Sequence, residues 1–225
     1  MLILFISLLC VSLIGGISSF QCAVQTPVYQ ESLYVGPVAI GWAGLKGRGL
    51  FLTADVKAGE VLLREKAFCH AFKSDVFESL DVLVLQLNEL CASSYEQNYR
   101  LSYLCDGIRP IILPKLDDLR MPVEEDVPVA PRLSIEEIQG IVRYNSFDFF
   151  NSTDSKVKIS EDKEVGSVLW LVTSFLNHCS RPTTYRRQAG EYMIITASGN
   201  LKKGDELTTM YHSSDDALRQ WGIIK

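Results

Sequence analysis

The sequence predicts an α+β fold: small β-sheets with a mainly helical insert. Three observations carry that expectation. Short β-branched and aromatic runs bounded by turn formers occupy both ends of the chain, near residues 33–63 and 191–211. The stretch between them changes to a helical period. The same turn chemistry, one or two lysines followed by Gly and an acid, occurs in both β-textured parts, at Lys57-Ala58-Gly59-Glu60 and Lys202-Lys203-Gly204-Asp205.

Size and charge set the bounds. With 225 residues, 47% of them hydrophobic, the chain can build one domain with an insert and a substantial core. A net charge of −5 gives no signature of a nucleic-acid-binding surface. The six cysteines, Cys10, Cys22, Cys69, Cys91, Cys105 and Cys179, contain no Cys-x-x-Cys. With His70, His178 and His212 they do not complete a zinc pattern, so no metal is expected, and the spacings assign no disulfide.

Residues 1–20 form an uncharged apolar run ending in Gly15, Gly16, Ile17, Ser18 and Ser19. This has the texture of a signal peptide or membrane anchor. No Lys or Arg precedes Lys46, so the usual positive flank is missing. An organelle-targeting leader and a start placed upstream of the true one therefore stay open beside the first reading. Residues 21–32 read as a connector and 33–222 as the folded domain, interrupted by the insert at about 68–165.

Within the domain, residues 33–40 have β texture, and Gly44, Gly47 and Gly49 fall within six positions. Glycine lets a ligand or another backbone approach closely. Residues 50–53, the turn 56–59 and residues 60–63 then read as strand, turn, strand. Val76, Phe77, Leu80, Leu83, Val84, Leu87, Leu90 and Cys91 recur at threes and fours, an amphipathic helix. Residues 109–131 hold five of the eight prolines and a cluster of acids, an exposed, mobile loop. Ser134-Ile135-Glu136-Glu137 has capping-box form, opening a helix that closes near Asn145. Asn151-Ser152-Thr153 fits a glycosylation acceptor, relevant only if the leader directs secretion. The apolar run 168–176 predicts a short buried helix presenting Asn177 and His178 at its end. Residues 191–197 and 206–211 read as strands, and 217–221 as a last helical turn.

Taken singly, these signals are ordinary: Gly-x-Gly is usually a turn, an Asn-His pair a hydrogen-bonded loop, a strand-terminal Tyr a packing residue. Their order is more specific. Lys46-Gly47-Arg48-Gly49-Leu50-Phe51, then Asn177-His178-Cys179-Ser180-Arg181-Pro182, then Gly204-Asp205-Glu206-Leu207-Thr208-Thr209-Met210-Tyr211 resemble the two halves of a SET domain, the fold of protein lysine methyltransferases. The insert and Asn145-Ser146-Phe147 are similar to the SET-and-MYND branch and its TPR-containing relatives, although neither a MYND cysteine–histidine set nor a TPR period is present.

The resemblance implies a protein lysine N-methyltransferase that uses S-adenosyl-L-methionine, acting on a lysine of a histone or non-histone protein. In that family the cofactor and the target lysine enter from opposite faces and meet through a narrow channel. Carried over by motif, Lys46, Gly47, Arg48 and Gly49 line the cofactor, Asn177 and His178 hold its adenosine and amino-acid parts, Asn145 is a further contact, and Tyr211 stands at the point of methyl transfer. The chain departs from the family pattern at several places. Cys179 and Ser180 stand in reversed order, Thr183 and Thr184 follow Pro182 where Asn is usual, and Met210 precedes Tyr211 where Asp is common. Residues 198–200 replace a charged pair, and Lys225 falls where many relatives continue. A catalytically degenerate SET module acting in protein binding is therefore the alternative, and a secreted or membrane-attached protein with fold-level kinship a third. The family implies nucleus or cytoplasm, the leader a secretory or organellar location.

Overall fold

The computed structural model describes residues 33–74, 76–119, 131–150 and 164–212, together with Arg219. The expected leader and connector, the candidate glycosylation acceptor and nearly all of the expected last helical turn lie outside these residues.

Among the described residues, eleven strands make three small sheets, with three α-helices beside them. In chain order the strands are β1 Leu33–Val35, β2 Val38–Trp42, β3 Arg48–Leu52, β4 Val61–Lys66, β5 Cys69–Phe72, β6 Phe147–Phe150, β7 Glu164–Leu169, β8 Asn177–His178, β9 Thr184–Ala189, β10 Tyr192–Ala197 and β11 Glu206–Thr209. The helices are α1 Ser79–Ser93, α2 Tyr95–Leu101 and α3 Ile135–Asn145. The sheets run β1-β4-β10-β9, β2-β3-β11-β8 and β5-β7-β6. This is the α+β arrangement of small sheets expected from the sequence. β5 and β6 both fall within the 68–165 interval, so strands as well as helices are built from it.

Local chemistry explains the elements. Pro37 lacks the N–H a continuous strand needs and divides the 33–42 run into β1 and β2. The two recurrent turns are built alike. Lys57 N donates to Glu60 Oε2 and Lys202 N to Asp205 Oδ2, while Gly59 and Gly204 take the left-handed conformation at φ 80° and 92°. The predicted capping box is present: Ser134 Oγ accepts from Glu137 N at 3.2 Å, and Glu137 Oε2 accepts from Ser134 N at 2.7 Å. α1 buries Ser79, Leu83, Leu87 and Cys91 at four-residue spacing and packs on β5, β7, α2 and α3.

The 168–176 run does not form the predicted helix. Its first part is the end of β7, hydrogen-bonded to β5 on one side and β6 on the other, and Thr173–Phe175 is a single 3₁₀ turn. An apolar run buried all round has no face, so its period cannot separate a central strand from a helix. Val168, Leu169 and Trp170 are all fully buried. Trp170 Nε1 donates to Glu191 O at 3.1 Å, satisfying its polar edge.

One core joins the sheets to the helices. Leu50, Leu62, Leu83, Leu87, Ile138, Ile141 and Ile195 are within about one percent of complete burial. Burial on that scale contributes about 1.5–3 kcal/mol per large aliphatic side chain. Among the described residues no helix is long and apolar enough to cross a membrane. Cys69, Cys91, Cys105 and Cys179 are free thiols.

Candidate functional site

The β2-β3-β11-β8 sheet brings the three motifs together. β3 carries Arg48 and Gly49, β8 is Asn177–His178, and β11 between them leads to Tyr211. β11 pairs antiparallel with β3, Glu206 opposite Phe51 and Leu207 opposite Leu50, and parallel with β8, Thr208 with Asn177 and Thr209 with His178. Residues about 130 positions apart thus become neighbours through two strand pairings.

The site centres on the Asn177 carboxamide. Its Nδ2 donates to Arg48 O at 2.9 Å and to Glu206 Oε1 at 2.8 Å. The other Glu206 oxygen, Oε2, accepts from Lys46 Nζ at 2.7 Å. Gly49 makes this approach possible. A Cβ there would lie 3.0 Å from Asn177 Nδ2 and 3.1 Å from Glu206 Oε1, tighter than nearly all real Cβ contacts. Gly49 is therefore a close-packing residue for the chain's own side chains. Gly47 has φ 81° and closes the Gly44–Lys46 turn, its N–H donating to Gly44 O.

His178 and Tyr211 form a second unit. Tyr211 N donates to His178 Nδ1 at 3.1 Å, the two rings lie 5.5 Å apart, and Tyr211 Oη donates to Leu176 O at 2.5 Å. Accepting at Nδ1 requires that this imidazole nitrogen carry its lone pair. Burial pushes the Tyr211 phenol up to about 12, the Glu206 charge adds to the rise, and Arg186 opposes it. Tyr211 is accordingly a neutral phenol at physiological pH.

Arg48 reaches outward from β3. Its Nη1 donates to Ile112 O at 2.7 Å and to Tyr103 O, and its guanidinium lies 4.9 Å from the Phe175 ring centroid. The segment 102–112 that it grips lines a cleft of about 180 Å³ together with Arg48. Arg109 in the same segment pairs with Asp106 and, at 3.3 Å, with Glu137 of α3. The first part of the proline-rich stretch is exposed as expected at Ile111, Ile112 and Leu113, but these contacts pin it where the sequence predicted a mobile loop.

Asn145 stands apart from the other predicted site residues. It is buried at the end of α3, and its Nδ2 donates to Cys105 O and Ile141 O, both at 2.7 Å. Its carbonyl accepts from Ser174 Oγ at 3.2 Å. Asn145 therefore reaches the Asn177 region through Ser174 and the 3₁₀ turn, and its amide protons are spent within the protein.

Two groups of residues matter here that sequence reasoning assigned no role. Glu65 is 5% exposed, and its carboxylate accepts from Val172 N and Thr173 N at 2.8 Å and from Thr173 Oγ1 at 2.7 Å. It anchors the turn that precedes Asn177. An acid two residues from Leu63 in strand 61–66 was the available signal, because the two side chains then share one face of the sheet. Thr183 and Thr184, departures from the family motif, bind β11: Thr183 Oγ1 donates to Glu206 O and accepts from Thr208 N, and Thr184 Oγ1 donates to Thr208 O, each at 2.8 Å. The two hydroxyls supply ladder-like bonds that hold β11 to the chain leaving β8.

The residues fit an organic cofactor with polar and apolar parts. Around Gly49 they offer an amide, an ion pair and backbone groups, beside an aromatic phenol and an imidazole. Among the described residues no group of three His, Cys, Asp or Glu side chains is placed to hold a metal.

The family model described as SET domain matches residues 47–212, more than half of the chain. No curated protein matches the chain. Similar solved structures include the following two. One, from Plasmodium falciparum, is described as a candidate histone methyltransferase. It is 14% identical, over 81% of this chain and 98% of that one, with a TM-score of 0.36. The other is the SET domain of LSMT bound to lysine and AdoHcy, 13% identical over 79% of this chain and 50% of that one, with a TM-score of 0.44. The chain thus spans half the length of that second structure. With the family model running from Gly47 through Asn177 and His178 to His212, across β3, β8 and β11, the chain belongs to the SET-domain family.

Proposed function

We propose that this chain is a protein lysine N-methyltransferase that uses S-adenosyl-L-methionine and modifies a lysine of a histone or non-histone protein. One observation carries the reading. The Gly-x-Gly strand, the Asn-His pair and Tyr211, each ordinary alone, converge on one sheet of a SET domain. Lys46, Gly47, Arg48, Gly49, Asn177 and His178 are the residues proposed to hold the cofactor, with Asn145 acting from the end of α3. The insert and Asn145-Ser146-Phe147 support placement near the SET-and-MYND branch.

S-adenosylmethionine supplies an already activated methyl group, so the protein needs to position rather than to attack. Alignment within a bound complex is worth several kcal/mol of barrier. The amine must also arrive neutral, although free lysine titrates near 10.4. Burial of the amine lowers that value. Tyr211 suits this chemistry. Its proton is committed to Leu176 O, so the phenol oxygen keeps acceptor capacity for an amine N–H without adding a charge.

The test separates the two roles. Tyr211→Phe is expected to leave S-adenosylmethionine affinity unchanged and to lower methyl transfer to histones or lysine peptides about a hundredfold. Asn177→Ala is expected to weaken cofactor binding about tenfold. Equal loss of both properties in both variants counts against the assignment. Cofactor binding with no transfer to any histone or lysine peptide moves the reading to a degenerate module.

A further inference from the structure

We infer that Glu206 is a positioning residue: its carboxylate locks the Asn177 carboxamide in one orientation and so fixes what that residue offers a ligand. This inference rests on the cofactor-binding reading for Asn177.

A side-chain amide has two N–H donors and one carbonyl acceptor. In Asn177 both donors are spent, on Arg48 O and on Glu206 Oε1. The flipped orientation would set Oδ1 against a carbonyl oxygen and a carboxylate oxygen, two acceptors facing a third. The network therefore assigns the amide uniquely. Oδ1 is left as the group with which Asn177 can read a ligand, and it reads a hydrogen-bond donor. Glu206 itself is held on both sides: Lys46 Nζ meets Oε2 at 2.7 Å, and the Glu206 carbonyl accepts from Thr183 Oγ1. Its side chain is 20% exposed, against 46% for Lys46.

A simpler role would be half of a surface ion pair with Lys46. Such pairs contribute about 0–1 kcal/mol, and their effect follows the charge. The positioning role follows the acceptor oxygen instead. Gln at 206 keeps an acceptor for Asn177 and loses the charge, whereas Ala loses both.

The experiment compares the full chain with Glu206→Gln and Glu206→Ala. In the ligand-free, ¹⁵N-labelled protein, the Asn177 side-chain amide protons are expected to exchange at least about tenfold faster in Glu206→Ala and within about threefold of the parent in Glu206→Gln. S-adenosylmethionine affinity is expected to follow the same order, about tenfold weaker for Ala and within about threefold for Gln. Glu206→Met, similar in volume but without an acceptor, replaces the alanine variant if that one unfolds. Unchanged amide exchange in Glu206→Ala or Glu206→Met overturns the inference, as does equal loss in the Gln and Ala variants. If the parent chain binds no S-adenosylmethionine, the functional reading fails, and amide exchange still decides the role of Glu206.

Discussion

Glu65 shows how one buried charge shapes the site from a distance. Burial raises its pKa above the ordinary 4.5, and the N–H and hydroxyl donors of residues 171–173 oppose that rise. The folded state therefore holds the Glu65 proton more tightly than the unfolded chain. The proton-linked part of stability is therefore fully present below the ordinary 4.5 and falls as pH rises through the raised value, while the hydrogen bonds from residues 172–173 oppose that loss. Glu65→Gln keeps one acceptor but turns an NH₂ group toward backbone N–H groups. It is expected to cost about 1–3 kcal/mol in denaturant unfolding at neutral pH. An unfolding midpoint equal to the parent's would show that the carboxylate does not anchor the turn before Asn177. Glu65 and Glu206 were hard to weigh from sequence for the same reason: an acid in a strand is usually solvated. Only the pairing of β4 with β10 and of β11 with β3 shows what each one faces.

Among the elements, what could be read depended on whether a local rule acted alone. α3 was legible because its capping box, its apolar face and its end near Asn145 all lie within a dozen residues. The Gly59 and Gly204 turns were legible because positive φ has a residue-level signature. β7 was not, since its identity as a strand comes from β5 and β6, far away in sequence. The 102–112 segment was not either, because its anchors, Arg48 of β3 with Glu137 and Asn145 of α3, are distant in sequence. A guanidinium can donate to two carbonyls while stacking on Phe175, and a lysine can only partly replace that geometry. Arg48→Lys is therefore expected to speed hydrogen exchange across residues 102–112 about tenfold while α1 and β10 stay protected. Unchanged exchange there would mean that Arg48 does not hold the segment.

For the molecule as a whole, the proposed function depends on one topological fact. β11 lies between the Gly-x-Gly strand and the Asn-His strand, so three distant motifs share one sheet. The departures at Thr183 and Thr184 fall within that arrangement and are absorbed by hydrogen bonds to β11. The motif order in the sequence pointed to this family, and the side-by-side placement supplies the physical reason the order matters. The proposed activity requires that this sheet hold S-adenosylmethionine. Calorimetric titration of S-adenosylmethionine into the purified chain, repeated with Asn177→Ala, is the most direct measurement. The expected result is saturable binding near one site per chain, weakened about tenfold by the substitution. No binding by a demonstrably folded chain, or binding indifferent to Asn177, would contradict it.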